Sequence, residues 1–245
     1  MRDCVVVGCG RSGTSLAAGL LSRAGYDCGK DLLPADAGGP TGFFEARGVN
    51  DLNEALLAPH DGALLCAEGY SRPLRDGERW LAVLPHELEL ESPPELRDAM
   101  AAELPRSPFC CKDPRFAYTL ESWRPLFPDA LFVCVFRHPL ATAASIAREV
   151  RYGDLRVSVD AAVEIWKAAY RRVVGRYRHR GDWLFVHYEQ LLDGTAVWRL
   201  GEALGARLDP GLADEALHRS RPLGEPRGEA AILYDELCVA AGFAR

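Results

Sequence analysis

Short apolar runs alternate along this chain with longer segments of helical periodicity. Each run is almost free of polar residues, which is typical of a strand buried on both faces of a parallel sheet. The predicted strands are Cys4–Val7, residues 109–111, Leu131–Phe136 and residues 183–187. Glycine, proline or a charged residue follows closely after each run, so each strand is predicted to end at a loop.

The segments between the strands predict helices. After Gly13, apolar residues recur at the spacing of one helical face until Gly25, which ends that helix. Ser92 and Glu95 predict a capping box that opens a helix reaching about Leu104. Further helices are predicted over residues 49–57, 139–150 and 160–177, and over the C-terminal region, with breaks at Gly205 and Gly211.

Strands that alternate with helices predict an α/β fold with three layers, α/β/α, in which helices cover both faces of a central parallel sheet. The sequence shows no internal repeat and no linker, so residues 1–245 are predicted to form one domain. Residues 27–48 are rich in Gly, Pro and Asp and predict a long loop of the kind that often covers a ligand. Residues 60–91 show no clear period and stay unassigned.

The composition of the chain indicates which kinds of partner and which cellular compartment to expect. Hydrophobic residues make up 48% of the chain, enough for a substantial core, and the net charge of −6 argues against nucleic acid as a partner. The N-terminal apolar run is too short for a signal peptide, and no stretch approaches the roughly 18 apolar residues of a membrane span. None of the cysteines forms a C-x-x-C, so we expect reduced, buried thiols in a cytoplasmic protein. They are Cys4, Cys9, Cys28, Cys66, Cys110, Cys111, Cys134 and Cys238.

A glycine-rich loop, Gly8 to Ser15, follows the first strand and matches two phosphate-binding signatures. As G-x-G-x-x-G it fits a dinucleotide-binding turn, which also expects an acidic residue about 20 positions on, at the end of a second strand. Asp27 and Asp31 are nearby but have no apolar strand before them. As a P-loop it has Thr14 where the phosphate-binding lysine is expected.

A third interpretation keeps the phosphate cradle without a metal ion. Backbone N–H groups from Ser12, Gly13, Thr14 and Ser15, at the start of a helix, form an anion site. Arg11 adds a guanidinium, which suits a phosphate that carries a further anionic group. The plainer alternative is a tight turn between a strand and a helix.

The sequence GRSGTS resembles the 5′-phosphosulfate loop of sulfotransferases that use 3′-phosphoadenosine 5′-phosphosulfate (PAPS). A second segment strengthens this resemblance. Arg137 ends the strand Leu131–Phe136, and Ser145 lies in the following helix with the R-x-P-x-x-x-x-x-S spacing that is similar to the 3′-phosphate motif of the same family. Because ATP and NAD lack that 3′-phosphate, the resemblance implies PAPS as co-substrate, with no metal ion.

The resemblance to PAPS-dependent sulfotransferases, bacterial members included, implies further site residues. Tyr188 lies in a segment similar to the family's YE-x-L motif, where the tyrosine can contact the donor adenine; a packed core tyrosine is the alternative. Lys112 lies in a K-D-P-R segment that resembles one placed near the transferred group, although a surface lysine paired with Asp113 is also open. A late basic segment, with Arg219, Arg221 and Arg227, matches the family only loosely.

The resemblance implies a P-loop-like fold and transfer of a sulfuryl group to a hydroxyl or amine of a small-molecule or saccharide acceptor. Glu45, beside two phenylalanines, is the expected catalytic base, with His60 as second choice and His86 in the same region. Lys112 and Arg11 are the expected catalytic cations. A homodimer is left open. The alternatives are a P-loop kinase or NTPase, a nucleotide-binding module without catalysis, and an oxidoreductase.

Overall fold

Four strands form the centre of the fold. They are β1 (Cys4–Val7), β2 (Cys110–Lys112), β3 (Leu131–Phe136) and β4 (Asp182–His187). The computed structural model describes residues 1–35, 42–60, 69–90, 92–150, 154–212 and 222–244. Within them, the strands form one sheet in the order β2-β1-β3-β4, with every neighbouring pair parallel. All four predicted strands are confirmed, with small shifts at the bounds of β2 and β4.

Helices pack against both faces of this sheet. The α-helices of the described ranges are α1 (Thr14–Arg23), α2 (Arg47–Leu57), α3 (Pro94–Ala102), α4 (Phe116–Trp123), α5 (Pro139–Glu149), α6 (Val159–Arg172), α7 (Tyr188–Leu192), α8 (Thr195–Leu204) and α9 (Gly228–Ala241). Helix α6 continues into a π-helical turn, Val173–Tyr177.

The alternation of side chains along the strands divides the core in two. Val5 and Phe132 face a cluster built with α4, α5, α6 and α9, whereas Val6 and Val133 face a cluster built with α1 and α8. Because both faces are covered, the strands have no solvent side, which explains their continuous apolar sequences. The three-layer α/β/α prediction is confirmed.

The start of α3 differs from the prediction. Pro93 occupies the N-cap position and no side chain caps the helix, so the capping box expected at Ser92 and Glu95 is wrong. The Ser92 hydroxyl lies 3.9 Å from the sulfur of Met100 instead. The helix ends at Ala102, before the predicted Leu104.

Described residues from two segments for which the sequence predicted neither strand nor helix lie at the carboxyl edge of the sheet. The loop predicted over residues 27–48 closes on itself through a bridge between Leu32 and Ala46 and a 2.8 Å bond from the Leu33 N–H to the Glu45 carbonyl. The segment left unassigned by its sequence contains a 3₁₀ turn, Arg79–Leu81. The first segment places Glu45 at this edge, and the second places Trp80 there.

The described cysteines are free thiols, and every one of them is buried; Cys66 lies outside the described residues. Burial raises the pKa of Cys9 to about 12, so that thiol stays protonated at neutral pH. None of the helices in the described ranges has both the length and the apolar composition needed to cross a membrane.

Candidate active site

The residues singled out from the sequence follow the carboxyl ends of all four strands. The glycine loop follows β1, Lys112 ends β2, Arg137 follows β3 and Tyr188 follows β4. Parallel strands present these ends at one edge of the sheet, where ligands bind in α/β folds. The topology therefore gathers the predicted residues at one place.

Two glycines fix the path of the loop. A Cβ added at Gly8 would stand 2.3 Å from the carbonyl oxygen of Val135, which is too close for any side chain. Gly13 has φ 96°, and a Cβ there would stand 2.4 Å from Cδ2 of Tyr188. The loop thus packs directly against β3 and the Tyr188 ring, and both contacts require glycine.

The N-terminus of α1 presents main-chain donors. Because α1 begins at Thr14, the N–H groups of Thr14 and Ser15 have no acceptor within the helix and can bind an anion, whereas the Leu16 N–H donates to the Gly13 carbonyl at 3.1 Å. The Ser12 N–H instead donates to the Cys9 carbonyl at 3.3 Å, which closes the turn. The buried Ser12 hydroxyl lies 3.4 Å from that of Thr142 on α5, so Ser12 also joins the loop to this helix.

Arg11 makes a second connection between the loop and α5. Its Nε donates to Oγ of Ser145 at 3.3 Å, and its Nη2 lies 3.7 Å from a carboxylate oxygen of Glu149. Its backbone has φ 69°, a left-handed conformation that costs energy in a residue with a side chain. The loop residue expected near the 5′-phosphosulfate and the α5 residue expected near the 3′-phosphate are therefore in contact.

Arg137 is buried beside the same helix. Its guanidinium carbon lies 4.4 Å from the centre of the Tyr188 ring, and its carbonyl accepts a 3.1 Å bond from Nε1 of Trp166. Burial lowers the pKa of the Arg137 guanidinium, while the nearby Tyr188 and Glu189 oppose the shift. The ring of Tyr188 contacts Arg137 as well as Gly13, so it links two of the predicted motifs.

Lys112 and Glu45 form a buried ion pair at the end of β2. Besides Glu45 Oε1, the Lys112 ammonium donates to Oγ of Ser15 at 3.3 Å and to the carbonyl of Phe43 at 3.2 Å. These three acceptors match the three N–H donors of an ammonium. The pair places a cation and a carboxylate beside the start of α1.

A side-chain amide connects Glu45 to a second carboxylate. Nδ2 of Asn50 donates to Oε2 of Glu45 at 3.0 Å and to Oδ2 of Asp113 at 2.7 Å. Arg115 binds the other oxygen of Asp113 through its N–H at 2.7 Å and its Nη1 at 3.2 Å. Burial raises the pKa of Asp113; Arg115 opposes this shift and Glu45 adds to it.

The network extends from Arg115 to the segment that carries Trp80. Nε of Arg115 donates to Oε1 of Glu54 at 2.5 Å, and Nη1 of Arg79 donates to Oε2 of Glu54 at 2.6 Å. Nη2 of Arg115 also donates to the carbonyl of Gly77 at 2.8 Å. Buried charges of opposite sign thus hold α2, α4 and the Arg79–Leu81 turn in one arrangement.

A cavity of about 240 Å³ lies above these groups. It brings together five of the residues predicted from the sequence: Arg11, Thr14, Ser15, Glu45 and Lys112. The other lining residues are Gly10, Leu33, Phe43, Asn50, Gly77, Trp80, Pro114, Arg115 and Glu149. The cavity is therefore a space in which a group bound to the glycine loop would meet both Lys112 and Glu45.

Other predicted residues lie elsewhere. His60 ends the 3₁₀ turn after α2 and does not line this cavity. His86 lies near Gly175, where an added Cβ would stand 3.1 Å from its Cε1. Arg227 is exposed at the N-cap of α9 and lines a different cavity with Leu140. Arg219 and Arg221 lie outside the described residues.

Three residues of the site were not anticipated: Trp80, Asn50 and Glu149. Trp80 belongs to the segment without periodicity, so its sequence gives no signal. Asn50 and Glu149 occupy the first turn of α2 and the last position of α5. Asn50 is buried and its amide therefore requires hydrogen-bond partners, but this burial is a property of the folded chain that the sequence does not show.

The P-loop alternative also expects an aspartate to hold magnesium at a strand end. Asp113 follows β2, but it is buried and its oxygens accept from Asn50 and Arg115. Within the described residues, no group of three or more His, Cys, Asp or Glu side chains could hold a metal ion.

The sequence profile described as "Sulfotransferase family" matches residues 4–205, from β1 to the end of α8. No curated protein sequence matches. Two solved structures are similar. The "Sulfotransferase Domain from the Synechococcus PCC 7002 Olefin Synthase" has 21% identity and a TM-score of 0.46, over 96% of this chain and 86% of that one. The "Sulfotransferase Domain from the Curacin Biosynthetic Pathway" has 13% identity and a TM-score of 0.48, over 100% of this chain and 99% of that one.

Proposed function

The chain belongs to the sulfotransferase family, and on this premise we propose that it transfers the sulfuryl group of PAPS to an acceptor hydroxyl. The second product is the desulfated nucleotide, 3′-phosphoadenosine 5′-phosphate (PAP). The acceptor is a small molecule or a saccharide. The reaction needs no metal ion in this proposal, because arginine and lysine side chains supply the positive charge.

The contact between Arg11 and Ser145 is the observation that carries this proposal. A nucleotide with phosphates on both its 5′ and 3′ oxygens needs two anion sites separated by one ribose. The glycine loop with Arg11 is one candidate site, and Arg137 with Ser145 is the other. Since Arg11 and Ser145 lie 3.3 Å apart, the two sites adjoin, as one nucleotide would require.

The shape of the loop also fits a phosphate. Gly8 and Gly13 leave no room for a Cβ, so the main chain of the loop is held close to β3 and Tyr188. This arrangement exposes the first N–H groups of α1 to a ligand, and the helix dipole favours negative charge there. In the proposed complex these donors bind the 5′-phosphosulfate, and Arg137 and Ser145 bind the 3′-phosphate.

The chemistry assigned to the cavity is an in-line transfer. The acceptor oxygen forms a bond to sulfur, and the bond from sulfur to the bridging oxygen of the 5′-phosphate breaks, leaving its electron pair on PAP. Glu45 takes the proton of the acceptor hydroxyl. Lys112 and Arg11 stabilise the charge that develops on the leaving phosphate, as preorganised cations do in phosphoryl transfer.

Free, buried thiols support placing this reaction in a reducing compartment. Every cysteine of the described residues is free. Stable disulfides form mainly in secreted proteins, and reduced thiols are usual in the cytoplasm. We therefore include a cytoplasmic location in the proposal.

Calorimetry with PAP tests the donor assignment, and chromatography of PAPS consumption tests the transfer. The full chain should bind PAP without a metal ion, and it should bind ATP with magnesium far more weakly. Absence of PAP binding would overturn the proposal. Tight magnesium-dependent ATP binding would favour a kinase or NTPase, and PAP binding without transfer to any acceptor would favour a binding module.

A further inference from the structure

Four residues that line the cavity are apolar, although its other lining residues are mostly polar or charged. Its apolar members are Leu33, Phe43, Trp80 and Pro114. The indole of Trp80 rests on the glycine loop, since a Cβ added at Gly10 would stand 2.6 Å from Cε3 of that ring. An aromatic face thus adjoins the loop proposed to hold the reacting phosphosulfate.

The turn at Phe43 and Phe44 adds a second aromatic group to this wall. Phe44 has φ 55°, a left-handed conformation, and its ring packs on α1, 3.1 Å from where a Cβ of Gly19 would stand. Phe43 lines the cavity, and its carbonyl accepts from Lys112 at 3.2 Å. The backbone turn therefore commits one phenylalanine to the core and leaves the other at the cavity.

Three polar side chains of the cavity are already bonded to other groups of the protein. Asn50 donates to two carboxylates, and Lys112 donates to three oxygens. Arg115 binds Asp113 and Glu54. A saccharide would bring several hydroxyls that need partners, and each one buried without a partner weakens binding. The arrangement favours an acceptor with few polar groups.

The charges and the volume of the cavity restrict the class of acceptor further. Three cations, Arg11, Lys112 and Arg115, line the cavity against two carboxylates, so an ammonium group would meet a net positive charge there. A carboxylate would meet Glu45 and the negative charges of the donor. The cavity of about 240 Å³ is smaller than the roughly 300–1,000 Å³ of pockets for drug-sized ligands, and the sulfuryl group must share it.

We propose that the acceptor is an uncharged hydroxyl compound with a one-ring apolar body, such as a phenol or a benzyl alcohol, and that Trp80 selects it. This inference rests on the proposed function. The acceptor ring packs on Trp80, and its hydroxyl oxygen bonds to the sulfur as the bond to the 5′-phosphate oxygen breaks. The hydroxyl proton passes to Glu45, and PAP leaves.

A panel of three acceptors tests the class. The full chain is assayed with PAPS and 4-methylphenol, benzylamine or methyl glucoside, and PAP is measured by chromatography. We expect kcat/KM for 4-methylphenol to exceed the other two values at least about tenfold, the factor that one small apolar contact supplies. Preference for the amine or the glucoside, or transfer to none of the three, would overturn the inference.

Variants at Trp80 test the residue. Trp80→Ala should raise KM for 4-methylphenol about 10- to 200-fold, the range for a lost apolar contact, with a smaller change in kcat. Trp80→Phe should restore most of the loss because it keeps an aromatic wall. Trp198→Ala, at a tryptophan 69% exposed on α8, is the matched control. Equal KM values for Trp80→Ala and the control would refute the assignment.

Binding of PAP separates this inference from the proposed function. If the unmutated chain binds PAP and sulfates only the glucoside, the acceptor class is wrong and the sulfotransferase assignment stands. If the unmutated chain binds no PAP, the proposed function itself fails. If Trp80→Ala weakens PAP binding as much as acceptor binding, Trp80 acts by supporting Gly10 and does not select the acceptor.

Discussion

The guanidinium of Arg137 lies over the ring of Tyr188, 4.4 Å from its centre. An arginine placed on an aromatic face keeps its N–H groups at its edge available for an anion. Tyr188 in turn contacts Gly13, so the proposed 3′-phosphate site and the glycine loop share one ring. Through Tyr188, the position of Arg137 thus depends on the glycine loop as well as on its own 3′-phosphate site.

Arg137→Ala should weaken PAP binding selectively. We expect the dissociation constant of PAP to rise about 10- to 100-fold, because a charge-assisted hydrogen bond contributes about 1.5–3 kcal/mol. Binding of adenosine 5′-phosphate, which has no 3′-phosphate, should change little. Calorimetry with both nucleotides makes the comparison, and equal losses for the two would show that Arg137 supports the fold instead of the 3′-phosphate.

Gly13→Ala and Gly25→Ala form a matched pair. The two glycines have φ 96° and 94°, but a Cβ at Gly13 meets Tyr188 whereas a Cβ at Gly25 meets nothing within 4 Å. Both alanines should cost roughly 1–2 kcal/mol of backbone strain. In urea unfolding, only Gly13→Ala should lower the free energy of unfolding by more than this strain energy. Only Gly13→Ala should also weaken PAP binding. Equal losses in the two variants would mean that the Tyr188 contact adjusts without cost.

Glu45→Gln should remove turnover and retain PAP binding. The amide keeps the size of the side chain but cannot accept the acceptor proton, and loss of a general base costs about 10²- to 10⁴-fold in rate. His60→Ala is the control, since His60 does not line the cavity. If His60→Ala abolishes transfer while Glu45→Gln is active, the base has been assigned to the wrong residue.

Asn50→Ala should alter the pH dependence of kcat. Without the amide that bridges it to Glu45, Asp113 loses a donor and faces a like charge, which raises the pKa of Asp113 further. Lys112 and Arg115 still face the pair. The acidic limb of the kcat profile should therefore move to higher pH. Asp51→Asn, on the exposed side of α2, should leave the profile unchanged; an unchanged profile in Asn50→Ala would leave Asn50 a structural role only.

His187 predicts a loss of stability in mild acid. Burial, with His138 and Arg137 nearby, lowers the pKa of His187 from 6.5 to about 3. Below pH 6.5 the unfolded chain therefore binds a proton at His187 that the folded protein does not bind. The free energy of unfolding falls by about 1.4 kcal/mol per pH unit in this range. His187→Gln should flatten this part of the curve in urea unfolding between pH 7.5 and pH 5. Parallel curves for the two proteins would contradict the shift.

The strands were predictable because each is buried on both faces and therefore has a continuous apolar sequence. Arg11, Arg137 and Ser145 were identifiable because the segments that carry them follow strand ends and resemble the two phosphate-binding motifs of sulfotransferases. The assignment of these residues to the donor stays a prediction, but their proximity is now a feature of the fold.

Other parts of the site could not be predicted because their partners are distant in the sequence. Trp80 lies on Gly10, and Asn50 bonds to Asp113, with no local pattern to announce either contact. Ser92 is the opposite case, because its local sequence fits a capping box that the structure does not contain. Pro93 occupies the N-cap position instead. Local patterns predict elements, but side-chain networks between elements depend on the assembled chain.

The three glycines of the loop imply three different patterns of second-site suppression. The space for a methyl group at Gly10 is taken by the Trp80 ring, and at Gly13 by the Tyr188 ring. A smaller residue at 80 should therefore rescue alanine at Gly10, whereas a smaller residue at 188 should relieve the contact at Gly13 and leave the backbone strain of its φ of 96°. At Gly8 the obstacle is the main-chain oxygen of Val135, which no substitution removes. In a library of revertants, Gly8 should be the one position of the three that recovers only by reverting to glycine.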